Sequence, residues 1–176
     1  MAAAKVTYDD YAAMPDDGRR YEIIDGELCQ IPTPPVRHQS VLLNLVLIIE
    51  NHSRETRTGR MVLGPFDVVF SATNVVQPDM IFVSTARADV LTDDNAQGAP
   101  DIVVEVVSPW SRNRDEVIKR RLYADFNVAE YWMVDWQNET ATIFRDGTEL
   151  HLSKGDQLTT PLLPGLAIPL AAIFED

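Results

Sequence analysis

Glu105 is the residue whose type and position first suggest chemistry. It interrupts the run IVVEVV at residues 102–107, which otherwise has the continuous apolar pattern of a central strand covered on both faces. Because side chains alternate across a strand, the carboxylate shares a face with Val103 and Val107. A buried, unpaired carboxylate is so costly that the fold must supply a cation, a proton or an opening to solvent. A structural ion pair with an arginine near the strand end would meet the same need.

A second carboxylate, Asp79, lies at the start of another predicted strand. It follows Gln77-Pro78 and directly precedes the apolar run MIFV. An aspartate before a strand is also a common turn residue, so a purely structural role is the alternative.

Lys119 and Asp115 lie on a helix predicted from about residue 114 to residue 126. At about 100° per residue, both fall inside the apolar arc that contains Ile118 and Leu122, so both are expected to point toward the sheet. The alternative is an i,i+4 ion pair between the two, with the lysine stem running along the surface to water.

Two acids and a lysine that converge on one strand end could hydrolyse a phosphodiester. Carboxylate oxygens are the ligands that Mg²⁺ prefers, and the bound ion stabilises charge on phosphate and helps to generate hydroxide. A lysine can orient or deprotonate the attacking water and stabilise the developing negative charge. The pattern therefore predicts Asp79, Glu105 and Lys119 as a catalytic group that uses Mg²⁺, or Mn²⁺ in its place.

The elements that must position these residues are those of a mixed α/β chain with a central sheet. Asp25-Gly26 predicts a tight hairpin turn, and Asn113 with Glu116 predicts a capped helix start. The predicted segments are a hairpin at 21–31, a buried helix at 38–55, a strand-like run at 60–70 with a bend or edge at its Gly-Pro, a second at 75–83 that is split by Pro78, a long loop at 84–100 that could hold one helical turn, a strand at 101–107, the helix at 114–126, strands at 130–136 and 140–145, and a further strand after the turn at 146–147.

Composition limits the class of protein. The 176 residues suit one domain, and 45% hydrophobic residues suffice for a core. No apolar run is long enough for a transmembrane helix, the first residues do not have the pattern of a secretory signal, and Cys29 is the lone cysteine. These features predict a cytoplasmic protein without a membrane partner. The net charge of −12 disfavours nonspecific adsorption to nucleic acid.

Several segments together resemble the restriction-endonuclease family called Uma-two, a member of the PD-(D/E)XK nuclease superfamily. The similarity covers about residues 20–170 and rests on the segments YEIIDGEL (21–28), PTPPVRH (32–38), QPD (77–79), VVEVVSPWS (103–111) and RDEVIKRRLYADFNVAEYWMVD (114–135). It implies one α/β (α+β) domain over residues 1–176. This domain would have a restriction-endonuclease-like core, a central mixed β-sheet flanked by helices, an N-terminal hairpin and a C-terminal β-rich extension.

The resemblance also implies roles for single residues. Asp79 and Glu105 match the two metal-binding acids, and the backbone carbonyl of Val106 matches a third metal ligand. The usual lysine position is occupied by Val107, and Lys119 matches the lysine that the family supplies from the following helix. Auxiliary roles are implied for Glu22 and His38, and Asp115 joins them as an auxiliary acid beside Lys119; a solvated strand residue and a helix-start residue are the alternatives for Glu22 and His38.

These observations predict an endonuclease that hydrolyses DNA, and the basic segment SRNRDEVIKRR at 111–121 suits phosphate contacts. A catalytically inactive interaction module of the same fold is the main alternative, favoured by Val107 and the net charge. A hydrolase of another phosphoester, such as a nucleotide, is the third. Cutting both strands of a duplex suggests a homodimer. Trp110, Trp132 and Trp136 are expected in the core or an interface rather than stacked on bases.

Overall fold

The computed structural model describes residues 4–109 and 111–175; the expectation for Trp110 lies outside them. The helices are α1 Tyr8–Ala12, α2 Val36–Thr56, α3 Arg120–Asp125 and α4 Leu170–Ile173, with a 3₁₀ helix at Thr85–Val90 and a π-helical segment, Arg114–Lys119, that leads into α3. The strands are β1 Arg20–Ile24, β2 Glu27–Ile31, β3 Gly59–Leu63, β4 Asp67–Ser71, β5 Asn74–Val76, β6 Met80–Ser84, β7 Asn95–Gln97, β8 Ile102–Val107, β9 Glu130–Asp135, β10 Thr140–Arg145, β11 Thr148–Leu152, β12 Gln157–Thr159 and β13 Ala167–Pro169.

Two mixed sheets carry the fold. The larger has the strand order β11-β10-β9-β8-β6-β3 and the smaller the order β2-β1-β5-β4-β7, while β12 and β13 form a separate ribbon. Strands β8 and β9 are parallel, and the π-helical segment with α3 connects them, which gives a β-helix-β crossover. The predicted mixed α/β arrangement with an N-terminal hairpin and a β-rich C-terminal half is therefore confirmed.

Strand β8 is the centre of the larger sheet, and all six of its residues are buried. Val104 and Val106 belong to a core cluster that α2 and the C-terminal segments complete, whereas Val103 and Val107 belong to a second cluster with Leu122 of α3. Because side chains alternate along the strand, β8 contributes residues to two cores, one on each face of the sheet, as the continuous apolar run predicts. Trp132 of neighbouring β9 is fully buried, in agreement with its predicted core position.

The hairpin prediction at residues 21–31 is confirmed, with Asp25 and Gly26 at positive φ in the turn between β1 and β2. The predicted interruptions of the segments 60–70 and 75–83 are also present. Each segment divides into two strands, and the two strands belong to different sheets, which was not predicted. The breaks fall at Gly64-Pro65 and at Pro78, where a missing backbone N–H interrupts the ladder.

The predicted loop at 84–100 contains a helical turn, the 3₁₀ helix, as expected, but it also contains β7, which was not predicted. The predicted helix cap needs correction. Asn113 has helical backbone angles and makes no side-chain capping hydrogen bond, because the chain is already helical at that residue. Within residues 4–109 and 111–175, no helix has the length and apolar character needed to cross a bilayer.

Gly59 is required by a close approach between β3 and β6. A Cβ atom at this position would lie 2.3 Å from the carbonyl oxygen of Val83 and 2.5 Å from the ring of Phe82. We expect Gly59→Ala to lower the free energy of unfolding by about 1–3 kcal/mol, measured by urea denaturation. Gly155→Ala is the matched control, because no described atom lies within 4 Å of its added Cβ. Equal stability of the two variants would contradict this account of β3.

Candidate functional site

Asp79 takes the place of a strand residue as hydrogen-bond partner near the C-terminal end of β8. The pairing of β6 with β8 extends from Phe82 and Ile102 to Met80 and Val104, and Asp79 lies one residue before β6. Its Oδ2 atom accepts a hydrogen bond of 2.8 Å from the backbone N–H of Val106. A buried backbone donor at the end of the ladder is thereby satisfied, and this bond fixes the Asp79 carboxylate beside β8.

His38 holds the same carboxylate oxygen from the other side. It lies in the first turns of α2 and is buried, and its Nε2 atom is 3.0 Å from Oδ2 of Asp79. Among the described residues its Nδ1 atom has no hydrogen-bond partner. The structure thus brings His38 to Asp79, as an auxiliary role requires.

Glu105 accepts two hydrogen bonds on one carboxylate oxygen. Its Oε1 atom receives the ammonium of Lys119 at 2.7 Å and the hydroxyl of Tyr123 at 2.7 Å. Burial raises the pKa of Glu105 to about 8, against the opposing attraction of Lys119. Burial likewise raises the pKa of Tyr123 well above its usual value, so the phenol remains a hydrogen-bond donor at neutral pH.

Lys119 lies among three carboxylates and is 3% exposed. Its Nζ atom is 2.7 Å from Glu105, 2.7 Å from Glu22 and 4.0 Å from Asp115. Burial alone would lower the pKa of this ammonium, but the carboxylates outweigh burial and raise the pKa above its usual range. Lys119 therefore stays charged, and the carboxylates outnumber the one ammonium among them.

The inward direction of Asp115 and Lys119 is confirmed, but the helix that carries them is not a regular α-helix. Residues 114–119 are π-helical, and the N–H of Arg120 donates to the carbonyl of Asp115, five residues earlier. The prediction that Ile118 lies in the buried arc is wrong, since it is 40% exposed. A π turn holds more residues than an α turn, so an angle of about 100° per residue misplaces Ile118.

Glu22 and Asp115 complete the buried group. Glu22 is 1% exposed, which excludes the solvated strand residue that was the alternative. Its Oε1 atom accepts the backbone N–H of Gln77 at 2.9 Å, and its Oε2 atom lies 3.5 Å from Arg114. Burial raises the pKa of Asp115. The site thus joins β1 of the smaller sheet to the larger sheet.

A cavity of about 310 Å³ opens beside these groups. Its wall includes the predicted residues Asp79, Glu105, Val106, Lys119, His38 and Asp115, together with Arg20, Gln77, Arg114 and the segment from Ile31 to Pro35. Glu22 is not part of the wall and supports the site through Lys119. The predicted site residues are therefore brought to one place, from strands and helices far apart in the sequence.

The sequence of residues 8–171 matches the model of a protein family described as "Uma2: Putative restriction endonuclease". The chain belongs to the Uma2 family. Among curated proteins, none matches the sequence. Among solved structures, the fold is similar to that of a protein from Anabaena variabilis ATCC 29413, described as "a putative nuclease belonging to DUF820". The TM-score is 0.80, with 20% identity over 96% of this chain and 97% of that chain, which establishes a shared fold.

In this Uma2 protein most cations of the basic segment at 111–121 form ion pairs outside the cavity. Arg112 pairs with Asp135 and Glu116, while Arg120 lies over Phe144 and pairs with Glu149. Arg121 pairs with Asp25. Of the five cations in the segment, the cavity wall includes Arg114 and Lys119. The phosphate contacts of the whole segment stay a prediction, and within the segment Arg114 and Lys119 are the cations at the cavity.

Sequence reasoning missed three residues of the Uma2 site. Tyr123 donates to Glu105, and its position four residues after Lys119 was a usable signal. Gln77, in the QPD segment, donates its backbone N–H to Glu22. Arg20 donates to the Gln77 side chain across 57 residues of sequence, and no local pattern predicts that contact.

The donor set suits a hard divalent cation. Among the described residues, hydrogen bonds reach Oδ2 of Asp79 and Oε1 of Glu105, whereas Oδ1 and Oε2 accept none. Spare carboxylate oxygens of this kind are what Mg²⁺ binds. In the same part of the chain, no three His, Cys, Asp or Glu side chains are arranged to hold a metal together. An ion here would need backbone oxygen or water besides the two carboxylates.

Proposed function

We propose that this protein is an endonuclease that hydrolyses phosphodiester bonds in DNA with Mg²⁺, or with Mn²⁺ in its place. The observation that carries the proposal is the convergence of Asp79 and Glu105, each with a spare carboxylate oxygen, beside the charged Lys119 at one cavity. Membership in a family described as restriction endonucleases supports the same reaction class.

The proposed ligands of the ion are Asp79, Glu105 and the backbone carbonyl of Val106. The N–H of Val106 points to Asp79, and in an extended strand the N–H and C=O of one residue point to the same side. When bound, a divalent ion would polarise the phosphate and lower the pKa of a coordinated water. The three protein groups would fix where the ion lies, and His38 would hold Asp79 in place.

Lys119 would act as a source of positive charge. Its raised pKa makes it a poor base at neutral pH, so of its two sequence-predicted roles we favour stabilisation of negative charge over deprotonation of water. From its position beside Glu105, the ammonium can orient a water by hydrogen bonding. The lysine on the helix would thus replace a lysine at position 107.

Purified protein incubated with supercoiled plasmid is expected to nick or linearise it in Mg²⁺ or Mn²⁺, and chelation by EDTA is expected to stop the reaction. Agarose gels with plasmid, linear duplex and single-stranded DNA would measure this. No cleavage of any of the three in either metal would refute the proposal.

A non-catalytic module of the same fold is the second candidate. It is favoured by the tight enclosure of Lys119, which pairs with Glu105 and Glu22 and is buried. Calorimetric titration separates the two candidates, because the nuclease should bind Mg²⁺ or Mn²⁺ and the module has no need to. No heat and no melting shift with either ion would favour the module.

Tyr123→Phe is expected to weaken metal binding by about tenfold, because the phenol helps Lys119 to hold Oε1 of Glu105 and so fixes the orientation of the carboxylate. Calorimetric titration with Mn²⁺ would measure the change. Tyr21→Phe is the matched control, since the Tyr21 hydroxyl donates to Asp17 at the surface. Unchanged affinity in Tyr123→Phe would contradict this role.

The protein would act as a homodimer, because cutting both strands of a duplex calls for two sites. A monomer mass in light scattering would count against a homodimer. The protein would act in the cytoplasm, on the ground of its single cysteine.

A further inference from the structure

Three cations line the site cavity, and they differ in their partners. Lys119 pairs with Glu105 and Glu22, and Arg114 lies 3.5 Å from Glu22. Arg20, the first residue of β1, forms no ion pair with any carboxylate in the described part of the chain. In a protein of net charge −12, where carboxylates are abundant, such a cation beside the reaction site is available for an external anion.

The guanidinium of Arg20 is held in a fixed position by Gln77. Its Nε atom donates to Oε1 of Gln77 at 3.0 Å. The Gln77 amide is itself fixed, because its Nε2 atom donates to Oδ1 of Asp67 at 2.9 Å and to the hydroxyl of Tyr11 at 3.2 Å. These bonds settle which end of the amide faces Arg20. Arg20 is therefore oriented before any ligand arrives.

The anchoring bond leaves the outer edge of the guanidinium unused. Among the described residues, neither terminal nitrogen of Arg20 donates a hydrogen bond. These two nitrogens form the planar fork that binds phosphate oxygens in a bidentate manner, which an ammonium cannot reproduce. Arg20 and both candidate metal-binding acids contribute to the wall of the same cavity.

We propose that Arg20 binds a phosphate of the nucleic-acid backbone at this cavity, and that Gln77 is the positioning residue that holds it. The inference rests on the proposed function for the class of substrate, and it assigns the phosphate contact to a residue outside the basic segment at 111–121. The cation would also offset the carboxylates that otherwise repel the polyanion.

The inference is tested by measuring the binding of a fluorescein-labelled 16-nucleotide DNA, single-stranded and as a duplex, by fluorescence anisotropy. The assay contains Ca²⁺, a divalent ion of looser geometry than Mg²⁺. Arg20→Met is expected to weaken binding by about tenfold or more and to reduce the salt slope by about one. Arg20→Gln keeps an N–H that can donate to Gln77, so its fold should be preserved, and it should lose DNA binding to a similar extent. A loss in this variant is therefore not explained by misfolding. Arg20→Lys should fall between, because it keeps charge and loses the fork.

The matched control is Arg19→Met. Arg19 is adjacent in sequence, its side chain is 61% exposed, and it is not part of the cavity wall. Its removal should leave DNA affinity within about twofold. Melting temperatures of all variants, measured alongside, should match the wild-type value if only binding is affected.

The outcomes separate this inference from the proposed function. DNA cleavage by the wild type with unchanged DNA affinity in Arg20→Met and Arg20→Gln would overturn the Arg20 contact and leave the nuclease proposal intact. Binding that depends on Arg20, without cleavage in Mg²⁺ or Mn²⁺, would support the contact and refute the nuclease proposal. No DNA binding by the wild type up to about 100 μM, the weak end of nonspecific binding, would overturn both.

Discussion

Asp79→Asn and Glu105→Gln are each expected to reduce Mg²⁺-dependent DNA cleavage by about 10³-fold or more. Each change removes a negative charge and replaces one carboxylate oxygen by an amide nitrogen, which cannot bind a cation. A bound ion would supply several kcal/mol of transition-state stabilisation, and each ~1.4 kcal/mol corresponds to a factor of ten. Initial rates of plasmid nicking, with Mn²⁺ titration of the same samples, would measure both consequences.

The same chemical changes at exposed positions provide the controls. Asp94→Asn and Glu55→Gln alter exposed carboxylates outside the cavity wall and should leave cleavage unchanged. Full activity in both Asp79→Asn and Glu105→Gln would show that this cavity is not where DNA is cut. Loss of Mn²⁺ binding together with activity would tie the two residues to the ion rather than to folding, provided that melting temperatures hold.

Lys119→Met is expected to lower the free energy of unfolding by about 3–5 kcal/mol and to abolish cleavage. The substitution leaves Glu22 and Glu105 buried without the ammonium that lies 2.7 Å from each. Removing one partner of a buried ion pair is costly because the remaining charge has no compensation. Urea denaturation and the nicking assay measure the two effects on one preparation.

A triple variant tests the structural role of Lys119. In Lys119→Met combined with Glu22→Gln and Glu105→Gln, the uncompensated charges are gone, so most of the lost stability should return. Lys154→Met is the matched control, since Lys154 pairs with Glu139 at the surface and its loss should cost about 1 kcal/mol or less. Wild-type stability in Lys119→Met would contradict the buried network.

The sequence could predict the parts of this protein that depend on local pattern. The turn at Asp25-Gly26 follows from backbone freedom, and the central position of β8 follows from a continuous apolar run. The inward direction of Lys119 follows from helical spacing, and the side chain is buried although the segment is π-helical. The convergence of Asp79 with Glu105 came from resemblance as much as from pattern.

What the sequence could not predict depends on tertiary pairing. The interruptions of the segments 60–70 and 75–83 are visible in the sequence, but alternation does not say which sheet each piece joins. Ile118 was misplaced because nothing local indicates a widened turn. The link from Arg20 through Gln77 to Asp67 spans 57 residues, and each member alone is an ordinary polar residue.

The supply of a lysine from the helix has a consequence for how this site can change over generations. Val107 is fully buried in an apolar cluster, and Lys119 reaches Glu105 from a different element. A lysine at position 107 would have to pack in the core and also supply the positive charge. Here Val107 packs in the core and Lys119 supplies the charge. Another apolar residue at position 107 would leave the ammonium undisturbed. A small shift of the helix would be tolerated because the flexible lysine stem can still reach Glu105. Such a separation would make the proposed reaction site more tolerant of mutation than one built on a single strand.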